Sequence, residues 1–193
     1  VGTGSVRRRA LLLSRRPDLK LLEIRGNIDT RIRKWREGQY DAICLAVAGL
    51  NRLGLQENIA EILDPEWFTP DPGQGAIAVE IRDGDQRLRD LTIGLNHGPT
   101  WYAVLAERSF LRYIGGSCKT PVGALAILDM AAPVKMLTLT GMVASPDGTT
   151  ILRQSAARFY GSSEWLGHEV AEQLQMQGAE HLLAGGTGGS ATD

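Results

Sequence analysis

A chain of 193 residues that is 43% apolar is long enough to bury a real core, as one large domain or two small ones. Its two cysteines lie in contrasting settings, which argues against a disulfide framework, and no apolar run is long enough to span a bilayer or serve as a signal peptide. The formal net charge of -1 conceals a division: residues 1–52 hold ten arginines and two lysines against five acids, a net of +7 that leaves -8 for the remainder.

VRRRALLLSRR predicts a helix from about Ser5 to Arg16, capped by Ser5 and stopped by Pro17. LKLLEIRGN reads as a short strand, after which Asn27 caps a second helix with Ile28, Ile32 and Trp35 at helical spacing and Gly38 at its stop. DAICLAVAG is a continuous apolar run of the kind found in parallel sheets covered on both faces, and Cys44 within it reads as a small buried hydrophobe. AGLNRLGL supplies a short helical turn and QENIAEIL another helix. DPEWFTPDPGQG, residues 64–75, gathers three prolines and two glycines and is the best candidate for a linker or hinge. AIAVEIR then reads as a strand, and DQRLRDLTIGLN and PTWYAVLAERSFLRYI as helices. VGALAIL, VKMLTLTGMVA and TILRQSAARF form an antiparallel meander, with Pro-Asp-Gly at 146–148 marking one turn. EWLGHEVAEQLQMQGAEHLLAGG closes the chain as an amphipathic helix with Gly178 its weak point, and residues 186–193 read as a flexible tail.

Chemistry concentrates where small polar residues open helices beside arginines: Thr3 and Ser5 before Arg7 and Arg8, Arg25 before Asn27 and Arg31, and Asn51 beside Arg52. Helix N-termini favour anions, and the guanidinium fork pairs bidentately with carboxylate or phosphate. Loops of this kind after parallel strands meet along one sheet edge, where open α/β folds bind ligands. Arg9, Arg15, Arg16, Arg33 and Arg36 read instead as a solvated basic face. GTGS lacks the third spaced glycine of a dinucleotide site, and His97, His168 and His181 have no ligand-like spacing with a cysteine, so no metal is expected. Cys118 lies in GGSCKTPVG, between glycines that allow close approach and Lys119, which can stabilise a thiolate. Local sequence alone leaves a structural thiol ahead of a covalent attachment point.

The motifs GTGSVRR, IRGNIDTRI, YDAICLAVAGLNRLGL, PGQGAIAVE, LNH, AERSFL and GGSCKTPVG, in this order across nearly the whole chain, resemble porphobilinogen deaminase, also called hydroxymethylbilane synthase. The resemblance implies a transferase of tetrapyrrole (heme and chlorophyll) biosynthesis. Four porphobilinogen units lose ammonia through azafulvenes and are joined into linear hydroxymethylbilane, on a dipyrromethane cofactor held by Cys118 through a thioether. It further implies that Thr3, Ser5, Arg7, Arg8, Arg25, Asn27, Arg31, Arg52 and Gln74 bind the carboxylates of cofactor and chain, with Arg25 and Arg31 closest to the catalysis.

The implied fold is α/β. Residues 1–74 would be part of a periplasmic-binding-protein-like domain, 75–95 a segment returning to another domain, and 98–185 a small α+β domain with a three-stranded antiparallel sheet. The chain opens on Val1, four residues from a turn that normally follows a strand, so sequence preceding it is expected. The family's catalytic aspartate has no matching segment here, and the 193 residues alone are expected not to turn over. The resemblance also implies porphobilinogen as the small-molecule partner, no nucleic acid or membrane partner, a monomer at full length, and a cytoplasmic or plastid-stromal location. The competing reading is a non-catalytic module for polyanions or nucleic acid; it lacks interleaved aromatics, since only Trp35 and Tyr40 precede Trp67.

Overall fold

The computed structural model describes residues 1–116 and 120–185. In the first part, three extended passes lie side by side and parallel, with Gly2 bridged to Leu22 on one side and Ile43 on the other. The bonds Gly2 N–H to Ala42 O (2.8 Å), Cys44 N–H to Gly2 O (3.0 Å), Leu22 N–H to Val1 O (3.0 Å) and Thr3 N–H to Leu22 O (3.0 Å) hold them. Each pass is followed by a helix: α1 (Val6–Arg15), α2 (Ile28–Arg36) and α3 (Val47–Arg52). Ser5 caps α1 by accepting from Arg8 N–H, and Asn27 caps α2 by accepting from Thr30 N–H, which satisfies donors a helix start leaves unpaired. Ala10 and Leu11 of α1, Ile32 of α2 and Leu50 of α3 are buried.

Three expectations fail in this part. QENIAEIL forms only one 3-10 turn, Gln56–Asn58. Ile59 and Leu63 are half-buried while Ile62 is 66% exposed, so its apolar residues do not share one covered helical face, and Pro65 disfavours helical backbone at Asp64. The run 41–49 is not covered on both faces: it is half-buried, and Ile43 and Cys44 line an apolar cavity of about 410 Å³ with Ile32, Trp35, Leu50 and Phe68. AIAVEIR, read as a strand, forms no ladder among the described residues, and Ile77 and Val79 stand in solvent because no neighbouring strand pairs with it there.

After α4 (Gln86–Thr92), the second part is built from α5 (Gly98–Ile114), three strands, and the helices α6 (Ser163–Met176) and α7 (Ala179–Gly185). The strands β1 (Val122–Leu128), β2 (Met136–Ala144) and β3 (Ile151–Phe159) form an antiparallel sheet in that order, with Leu125 opposite Thr140 and Thr140 opposite Ser155. This is the meander that the turn signals predict. Alternation turns Leu137 and Leu139 of β2 toward α5 and α6, where Phe110, Leu166, Val170 and Leu174 complete a core without solvent exposure. Full burial of each such side chain is worth about 1.5–3 kcal/mol. The closing helix breaks at Gly178 (φ 92°) into α6 and α7, and Trp165 near the start of α6 is 58% exposed.

Beyond Gly141 the alternation stops, because Met142 and Ala144 pack on Ala10 and Leu11 of α1 together with Phe68. A segment running through Phe68 joins the two parts. Residues 64–75, the expected linker, form a strap that is pinned at its middle, where Thr69 has no exposure, and exposed toward both ends. Arg7 donates to Thr69 O (2.6 Å), Ala124 N–H donates to Pro70 O (3.0 Å), and Gly73 N–H donates to Glu107 (2.6 Å). Arg153 of β3 donates to Glu66 O, Trp67 O and Thr69 Oγ1, while Arg15 stacks over the Trp67 ring at 4.2 Å. Proline and glycine here set the path of a pinned segment; the backbone polar groups that a free hinge would give to water are taken up by side chains.

Candidate functional site

Because the three passes are parallel, their following connections, residues 3–5, 25–27 and 45–47, emerge along one edge. Thr3 is buried there and its Oγ1 accepts from Ser5 N–H (3.2 Å). Arg8, one turn into α1, donates through Nη1 to Cys44 O (2.9 Å), with Nη2 3.5 Å from Gln74 Oε1. Thr3, Ser5, Arg8 and Gln74 thus form one group, linking the first connection to the third and to the strap.

On the second connection, Asn27 is spent on its cap, Arg31 donates through Nε to Gly26 O (2.8 Å), and Arg25 is held by Glu23 (2.6 Å) in solvent. Arg52 stands exposed at the end of α3. An anion arriving at this edge meets helix starts and several guanidinium groups, a donor set suited to carboxylates.

Arg7 is placed differently from its neighbours. It is 4% exposed, points into the joint between α1 and the strap, and its Nε has no hydrogen-bond partner. Burial lowers its pKa to about 10, only partly offset by Asp71, so it remains charged at neutral pH. Burial likewise pushes the Cys44 thiol up, against the pull of Arg8 and Arg7, so a thiolate there is disfavoured. Cys118 lies outside the described residues; α5 ends before it with Gly115 left-handed (φ 76°), and β1 begins after it at Val122. Among the described residues, no group of three or more His, Cys, Asp or Glu side chains could hold a metal ion, and no helix is long and apolar enough to cross a membrane.

Sequence reasoning missed Glu107, Thr69 and Arg153. The signal for Glu107 was present: it shares a helical face with Ala103, Phe110 and Ile114, and an acid on a buried face demands an explanation.

Residues 1–90 match the family model described as "Porphobilinogen deaminase, dipyromethane cofactor binding domain", and residues 101–176 match "Porphobilinogen deaminase, C-terminal domain". The chain belongs to the porphobilinogen deaminase family. Curated porphobilinogen deaminases resemble it closely: that of Thermus thermophilus is 44% identical over 184 residues and that of Roseiflexus castenholzii 48% over 187. A third, from Oceanobacillus iheyensis, is 47% identical over 184 residues. These alignments take in 95–96% of this chain, which spans only 58–60% of the length of these porphobilinogen deaminases.

Proposed function

We propose that the chain is the anion-binding and cofactor-carrying portion of a porphobilinogen deaminase, a transferase that assembles hydroxymethylbilane from porphobilinogen. The observation that carries this is the delivery of arginine-bearing helix starts to one sheet edge by three parallel passes. The donor set fits a dipyrromethane, whose acetate and propionate groups need charge-assisted partners. When bound, the dipyrromethane supplies the primer that porphobilinogen units extend. Cys118 is proposed to hold it through a thioether.

Within this reading Arg8, Arg25, Arg31 and Arg52 take the carboxylates, with Arg25 and Arg31 beside the reacting unit. Thr3, Ser5, Asn27 and Gln74 line the cleft. Arg7, buried on Thr69, shapes the edge from behind and adds positive potential. Residues 1–74 correspond to a binding-protein-like domain, 75–95 to a segment that pairs elsewhere, and 98–185 to the domain bearing the cofactor. Positive charge that develops on a reacting pyrrole calls for a shielded carboxylate; Glu23, the acid paired with Arg25, stands in solvent, so the 193 residues alone are proposed to bind without turning over. A cytoplasmic location fits the proposed activity.

Titration with porphobilinogen tests this. Arg8→Ala and Arg31→Ala are each expected to weaken binding by about tenfold, as loss of a charge-assisted pair implies. Equal affinity of both variants and the unsubstituted chain would refute the assignment.

A further inference from the structure

One buried carboxylate ties α5 to both the strap and β1. Glu107 of α5 is 6% exposed. Its Oε2 accepts from Gly73 N–H (2.6 Å) in the strap, and its Oε1 accepts from Ala126 N–H (2.8 Å) in β1.

β1 is an edge strand, so alternate N–H groups on its free side lack a neighbouring strand. The strap supplies the missing acceptor to Ala124 through Pro70 O, and Glu107 supplies the next one, to Ala126. A carboxylate, with two oxygens and no proton-bearing nitrogen, serves the two donors from different segments at once, one on each oxygen. The strap then continues from Gly73 directly into Gln74, whose Oε1 lies 3.5 Å from Arg8 Nη2. Arg8 is tied in turn to Cys44 O. In sequence, α5 and β1 are also the elements immediately before and after the loop containing Cys118.

Resting on the functional reading above, we propose that Glu107 is a positioning residue. It registers Gln74, and through it Arg8, against the two elements that flank Cys118. Burial raises its pKa against the effect of its two N–H donors, consistent with a group confined by its contacts and shielded from water.

The test compares the 193-residue chain with Glu107→Gln, which keeps the volume but puts an NH₂ where an oxygen accepted. Hydrogen exchange is expected to accelerate about fivefold or more at Gly73 and Ala126, the effect of one lost buried acceptor, while residues 137–143 of β2 and 166–174 of α6 keep their rates. Porphobilinogen is expected to bind several-fold more weakly to Glu107→Gln, with no further loss when the change is made on a Gln74→Ala background, because both act through one contact.

Acceleration spread evenly over β2 and α6 would reduce Glu107 to a structural role. Unchanged exchange at Gly73 and Ala126, or additive binding losses, would overturn the proposal outright. If the unsubstituted chain does not bind porphobilinogen, the functional reading falls, and the exchange data still decide whether Glu107 holds the strap to β1.

Discussion

Arg7 and Arg8 are adjacent, identical in chemistry, and opposite in fate. A helix turns about 100° per residue, so Arg7 shares a face with Ala10 and Leu11 and is carried inward, while Arg8 faces the open edge. The distinction was readable from the pattern of α1, yet both residues fall under one binding role when arginines near a glycine turn are grouped together. Replacing Arg7 by Ala removes the bond to Thr69 O and leaves a buried void, for an expected loss of about 2–4 kcal/mol in urea unfolding.

Glu107 adds a pH dependence with a definite sign. Its folded pKa lies above the ordinary value of 4.5, so the folded state binds its proton more tightly than the unfolded state does. Its contribution is therefore fully favourable below about pH 4.5 and declines as pH rises through the raised folded value. The stability difference between the protein and Glu107→Gln, measured by urea unfolding across this range, should change in that direction. A difference independent of pH would show that folding leaves the pKa of this carboxyl unchanged despite its burial.

At the level of elements, the caps of α1 and α2, the long α5 and the three-stranded meander were legible because each carries a local signal: a capping side chain, a 3.6-residue period, or alternation between turn residues. The first-part strands were legible in position but not in extent, since each contributes a single bridged residue. The strap could not be read at all. Its path depends on Arg7, Arg153 and Glu107, which lie 34 to 87 residues away from the groups they bind.

The β2–β3 turn shows the same kind of long-range demand. Gly148 sits at φ 75° against α1, and a Cβ there would collide with Ala10 O. Gly148→Ala is expected to destabilise by about 2 kcal/mol or more, from strain and from loosening of α1 on the sheet. Retention of the full melting temperature would mean that this turn is free to move away from α1.

For the whole molecule, the strap makes the basic first part and the meander domain a joined pair. The interior of the joint is charged: guanidinium groups and a carboxylate satisfy backbone where an ordinary interface would use apolar contact alone. The arrangement ties the arginine edge and Gln74 to α5 and β1, the relation that the proposed function requires.

The central claim is that Cys118 carries a primer bound at this edge, and the intact mass of the protein tests it most directly. Made in cells with the sequence that flanks it in its gene, the protein is expected to exceed its polypeptide mass by one dipyrromethane. Peptide mapping should place the addition on Cys118, and Cys118→Ser should abolish it. Active protein with the bare polypeptide mass would contradict the account.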